Sequence, residues 1–161
     1  MVTAMFQRRA QTARTGRIIQ ITQFLDNFVD SIIDLPAELE GIASRIEPVS
    51  FALPFDLRTN RRYRILKSVP LDAAKVAGMW SILRCHTLPC FNKGVHQPPL
   101  AMQFLADGHE KGIATIDWTL GNTLVFWGER RSGFFFDHEN PEVLDIRREI
   151  EDRIDNSTRR L

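Results

Sequence analysis

Two cysteines and a formal net charge of +1 are all that 161 residues supply in those respects. Each shortage removes a class of protein. Two cysteines cannot form a disulfide scaffold, and a chain of this length builds a core without one. A charge so near zero argues against a protein devoted to nucleic acid or to an anionic membrane. No stretch approaches the roughly 18 consecutive apolar residues of a membrane-spanning helix, and the N-terminus lacks the apolar centre of a secretory signal. The sequence therefore predicts a cytoplasmic protein that does not engage a membrane. It also lacks a phosphate-cradling glycine loop, a dinucleotide fingerprint, a nucleophile elbow and a calcium-binding loop, so the well-marked nucleotide-dependent and serine-hydrolase chemistries have no foothold.

What is present has the composition of one ordinary domain, 43% hydrophobic and 25% charged. Residues 1–16 hold Arg8, Arg9 and Arg14 with no acid. They fit a disordered basic arm first and an organelle transit peptide second. Residues 17–161 are expected to form a single α+β domain. Ile18, Ile21, Leu25, Phe28, Val29 and Ile32 recur at spacings of three and four, which predicts a helix from Arg17 to Leu35. Pro36 is placed to open a second helix through Glu47, carrying Leu39, Ile42 and Ile46. Residues 48–60 read as loop with at most an edge strand, and Tyr63 to Val69 as a strand. Leu71 to Arg84 reads as a central helix with Val76, Ala77, Trp80 and Leu83 inward.

Seven of the fifteen aromatic residues fall between Leu100 and Asp137, where four short strands follow one another as an antiparallel meander. Asp107-Gly108 marks its first turn and Gly121-Asn122 its second. A tight second turn would set Leu120 opposite Thr123, Trp118 opposite Val125 and Ile116 opposite Trp127. Ile116, Trp118, Val125 and Trp127 then share a core face, while Asp117 shares the other with Leu124 and Phe126. The expected sheet has four or five strands. Asn140 as N-cap, Pro141 at the first helical position and Glu142 in the first turn begin a last helix that runs to about Asp155. Its stripe is Val143, Ile146, Ile150 and Ile154, and Arg147 with Glu151 and Glu149 with Arg153 are i,i+4 pairs.

Soft ligands and nucleophiles gather only at Cys85-His86-Thr87-Leu88-Pro89-Cys90. Zinc needs about four N or S ligands, and Cys85, His86, Cys90 and His96 are the nearest four. Adjacent Cys85 and His86 diverge, and the spacing matches no paired zinc pattern, so no metal and no cofactor is expected. Cys85 or Cys90 with His86, His96 or His138 as base is the corresponding catalytic alternative. His109-Glu110 does not continue as a zinc-protease motif, since Ile113 stands where the second histidine belongs. The pair belongs to a solvated hairpin tip. Arg58, Arg61, Arg62, Arg64 and Lys67 around Tyr63 could meet phosphate with an aromatic for base stacking, or simply keep an edge strand soluble. The second explanation is preferred, because no nucleic-acid motif accompanies the cluster.

Cys85-His86-Thr87-Leu88-Pro89, then Leu100 to Phe104, the Ile113 to Trp127 hairpin and a C-terminal helix form an ordered series. This series resembles a loose group of small uncharacterised bacterial proteins in which a Cys-x-x-Pro or Cys-His-x-x-Pro segment precedes a strand. In that group a Cys-x-x-Cys often lies on the next strand. Here the matching stretch, Asp117-Trp118-Thr119-Leu120, has no cysteine, and the likeness covers the C-terminal half alone. The resemblance implies no established activity. The expectation is a non-catalytic protein that binds another macromolecule, a protein rather than nucleic acid, as an immunity or accessory factor. Asp117 and Phe126 mark its expected site, with Arg61, Arg62 and Tyr63 as a second. A small metal- or thiol-dependent enzyme centred on Cys85, His86 and Cys90 is the alternative, and nucleic-acid binding through Arg58 to Lys67 the next.

Overall fold

Alternating burial along the strands and two amphipathic helices organise the chain, and both are visible in the computed structural model. It describes residues 11–12, 17–22, 34–49, 60–89 and 96–157, the backbone alone at 11–12, 17–22 and 60–62. The elements are β1 (Gln11–Thr12), β2 (Arg17–Thr22), β3 (Glu40–Pro48), β4 (Asn60–Leu71), α1 (Ala73–Cys85), β5 (Thr87–Leu88), β6 (Leu100–Ala106), β7 (His109–Asp117), β8 (Asn122–Trp127), β9 (Arg130–Phe136) and α2 (Pro141–Asn156). All nine strands lie in one sheet in the order β1-β2-β4-β3-β6-β7-β8-β9-β5, with antiparallel pairing throughout. Seven are six residues or longer, and β1 and β5 are short edge pieces of two residues. The fold is mixed α+β, with more strands and fewer helices among the described residues than the sequence predicts.

One face of the sheet is covered by the helices. Ala43, Leu100, Met102, Phe104, Ala114, Ile116, Val125, Phe134 and Phe136 meet Val76, Met79, Trp80 and Leu83 of α1 and Val143, Ile146, Ile150 and Ile154 of α2. Trp80 stands nearly perpendicular to both Phe104 and Phe134, at 5.7 and 5.4 Å between ring centres, the edge-on arrangement that aromatic quadrupoles favour. Ala77, expected inward, is exposed, and Met79 takes its place in the core. Asp72 caps α1 by accepting from the Lys75 amide at 2.8 Å. Asn140 caps α2 by accepting from the Glu142 amide at 2.9 Å. The predicted stripe of α2 is buried in full, and both its i,i+4 ion pairs form.

The predicted N-terminal helical hairpin is overturned. Arg17–Thr22 pairs with β4 as a strand, the chain turns at residues 37–38 just after Pro36, and Glu40–Pro48 is the central strand between β4 and β6. Residues 23–33 of the expected first helix lie outside the described residues, as do most of the basic arm and residues 50–59 of the expected loop. The spacing of Ile42 and Ile46 suggests a helix because the intervening buried positions are small. On β3 the alternation runs Gly41, Ala43 toward the helices and Ile42, Ser44, Ile46 toward the other side. Gly41 is required by contact, since a Cβ there would lie 2.8 Å from Val76 Cγ2 and 2.9 Å from Met102 Sδ. A hydropathy pattern that weighs large residues does not register such a strand.

The second face of the sheet is also buried in part. Ile46, Tyr63, Ala101 and Ile113 form a smaller cluster there, with Ile65 and Phe126 packed against it. A bulge beside Arg45 and Ile46 keeps Ile46 and Ile65 on that face while Arg45 and Lys67 turn toward the end of α2. The sheet is thus covered by helices on one side and partly buried on the other.

Two consequences can be measured. Gly41→Ala should lower unfolding free energy by about 1–3 kcal/mol through overpacking. Gly78→Ala, where an added Cβ meets nothing within 4 Å, should raise it by about 0.5–1 kcal/mol. Denaturant titration of both variants checks the pair. The helices are also joined by an ion pair between Lys75 Nζ and Glu149 Oε1 at 2.5 Å. The hydrogen bond from Lys75, with Arg153 assisting and partial burial opposing, holds the Glu149 carboxyl below its ordinary value of 4.5. The stability this pair contributes is present above that value and lost as pH falls through the lowered one. Because the pair is partly exposed it should be worth less than about 1 kcal/mol. The stability gap between wild type and Lys75→Met should narrow as pH falls below 4.5 and through the lowered value.

Candidate functional site

The polar residues of the second face converge where β7 ends. Thr115 and Asp117 alternate with the core residues Ala114 and Ile116, so both point away from the helices. Asp117 is 2% exposed, and a buried carboxylate needs several donors. Its Oδ1 accepts from the Thr119 and Leu120 amides at 3.0 and 3.1 Å, and its Oδ2 from the Gln97 amide at 2.8 Å. The Gly121 amide donates to the Asp117 carbonyl at 2.9 Å. The side chain thus shapes the β7–β8 turn and fastens the segment before β6.

This arrangement corrects the predicted register. Asp117 pairs with Asn122, Ile116 with Thr123, Ala114 with Val125 and Gly112 with Trp127. The turn is four residues, Trp118 to Gly121, rather than two. Gly121 has φ +65° and a Cβ there would lie 2.5 Å from the Phe136 carbonyl oxygen, so glycine serves the longer turn as well as the shorter. The shift is an even number of residues, and strand side chains alternate with period two. Ile116, Val125 and Trp127 therefore keep one face, and Asp117, Leu124 and Phe126 the other. Trp118 leaves the strand but stays in the core, against Phe136.

His96, 9% exposed, lies over this surface with both ring nitrogens engaged. Nδ1 is 2.5 Å from Asn122 Oδ1 and Nε2 is 2.8 Å from Thr115 Oγ1. An amide oxygen only accepts, so Nδ1 carries a hydrogen, and Nε2 of the neutral ring accepts from the Thr115 hydroxyl. The result is a hydroxyl–imidazole–amide chain across β7, β8 and the segment leading into β6. Thr115 and Asn122, at 2% and 8% exposure, were not singled out in the sequence. Their signal was polar residues at period two in an apolar strand pair.

The remaining candidates do not join this centre. Cys85 is the last residue of α1, exposed and unbridged. The His86 ring reaches the other way, its Nε2 2.7 Å from Glu142 Oε2 on α2, on the helical side of the sheet. Cys90 lies outside the described residues. Among the described residues no group of three or more His, Cys, Asp or Glu side chains is placed to hold a metal ion, and no helix is long and apolar enough to cross a membrane. Phe126 shares the Asp117 face but pairs with Ile113 at the far end of the hairpin. Tyr63 is buried in the smaller cluster, which leaves its ring unfit for base stacking. The Arg61 and Arg62 backbones pair with Ile21 and Gln20. Arg64 meets Glu47 at 3.2 Å, Arg45 meets Asp155 at 3.0 Å, and Lys67 donates to the Asp155 carbonyl at 3.3 Å. At the first hairpin tip His109 is exposed and Glu110 accepts from Gln103 Nε2 at 2.9 Å.

No family model matches the chain, and comparisons with curated proteins and with solved structures found no match. The site must be read from its own geometry. Three backbone amides on a buried carboxylate, each a charge-assisted bond, make Asp117 a fastening. Asp117→Ala should cost about 3 kcal/mol or more, whereas Glu142→Gln, at a half-exposed pair, should cost less than about 1 kcal/mol. Urea denaturation of the two variants tests that ordering.

Proposed function

We propose that the protein is non-catalytic and acts by binding another macromolecule, in the first instance a protein, as a small bacterial immunity or accessory factor. One observation carries this reading: the candidate polar centre is already occupied from within. Both Asp117 oxygens accept main-chain amides, and both His96 nitrogens are bonded to strand side chains. A reactive site would keep at least one of these groups turned toward a substrate. The described thiol, Cys85, faces solvent at the end of α1, while the nearest ring is held by Glu142.

A binding surface is supported where the helical layer ends. Leu66, 47% exposed, is the residue of β4 left unpaired at the bulge between Ile65 and Lys67, and Arg64 and Glu47 are paired a little further along the same two strands. An exposed apolar side chain on a strand that also carries charge is a common interface anchor. The arginines there are matched by acids of the same chain, which favours a protein partner over phosphate.

The test has two arms. A partner captured by the wild-type chain should be lost with Leu66→Asp and retained with Leu144→Asp, a comparably exposed leucine on α2. Equal capture by both variants contradicts the proposed surface. Stoichiometric zinc in the purified protein, or one cysteine reacting far faster than the other at neutral pH, contradicts the non-catalytic reading and favours the centre at Cys85, His86 and Cys90.

A further inference from the structure

His96 is a titratable ring buried against a sheet, in a role that binding at β3 and β4 does not use. We propose that it is a proton-sensitive latch, closed when neutral, which holds the segment leading into β6 against the second face of the sheet and releases it when protonated.

Each nitrogen of the neutral ring has a complementary partner. Its Nδ1 hydrogen goes to Asn122 Oδ1, and its Nε2 lone pair takes the Thr115 hydroxyl hydrogen. The next residue is fixed by the Gln97 amide on Asp117, and two residues on, the Pro99 carbonyl accepts from the Ile46 amide at 2.9 Å. Protonation makes both ring nitrogens donors. Thr115 must then turn its hydrogen away, and the imidazolium must be carried at 9% exposure.

Among the described residues, the charged group facing the ring on the strands it touches is Asp117 of β7; β8 and β6 carry none. Arg131 of β9 lies toward the other hairpin end, paired with Phe126, and the titratable His138 after β9 lies against Gly121, beside Asn122. Asp117 favours the cation, but both its oxygens are engaged by amides. Two responses can relieve the buried charge: the segment lifts into water, or Asp117 turns to the ring and gives up the Gln97 amide. Either response breaks the same bond. In the sign of the linkage, the closed form is held above the titration of the ring and lost as pH falls through it. Opening bares Thr115 and Asn122, so the polar centre becomes accessible only on acidification.

Hydrogen exchange of the full chain, corrected for intrinsic rates, reads this at the Gln97 amide. Its protection factor should fall at least about tenfold between about pH 8 and pH 5. His96→Gln, whose amide can donate to Asn122 and accept from Thr115 without charge, should abolish that pH dependence. Ring chemical shifts of His96 in the wild type should show the Nδ1–H tautomer at the higher pH and titrate together with the loss of protection. This second readout decides the matter if the variant does not fold. Constant Gln97 protection through the ring's titration, a ring that stays neutral to about pH 5, or an equal pH response in His96→Gln would each overturn the latch.

Discussion

The carboxylate of Asp117 gathers backbone from two stretches of chain distant in sequence, the turn that follows it and the segment before β6. A buried carboxylate satisfied by amides is stable only while those amides remain in place. That requirement fixes a four-residue turn, and the turn fixes the pairing of β7 with β8. The pairing in turn decides which side chains of the meander meet α1 and α2. With a shift of one residue, β8 would turn Val125 away from the helices while Ile116 of β7 stayed, and the two strands would no longer share a core face.

The meander, the central helix and the last helix were legible in the sequence because each carries its own local signal. Asn140-Pro141-Glu142 encodes a helix start by capping, ring geometry and charge together, and the structure follows it residue by residue. The N-terminal strands were not legible, because Gly41, Ala43 and Ser44 are buried for want of volume rather than for hydrophobicity. The space at Gly41 is closed only once Val76 and Met102 arrive from elsewhere in the chain. The tight second turn was predicted from Gly121-Asn122, a sound local signal, and was displaced by an aspartate whose partners include a residue twenty positions earlier.

The candidate site was legible in the same uneven way. Alternation alone places Asp117 on the correct face, but Phe126, expected beside it, stands at the far end of the hairpin. The purpose of Asp117 was not legible, since a carboxylate on a mixed face looks the same whether it awaits a ligand or holds a loop. His96 was considered with the cysteines because of its residue type, whereas the fold sets it on the opposite side of the sheet from His86. Thr115 and Asn122 acquire meaning only from the histidine between them.

Asp117 sets the register of β7 against β8, and cross-strand nuclear Overhauser contacts in the full chain measure that register directly. Contacts joining Ala114 to Val125 and Ile116 to Thr123 are predicted. Contacts joining Trp118 to Val125 and Ile116 to Trp127 would contradict it, because they belong to a two-residue turn that leaves the Asp117 carboxylate without its amides.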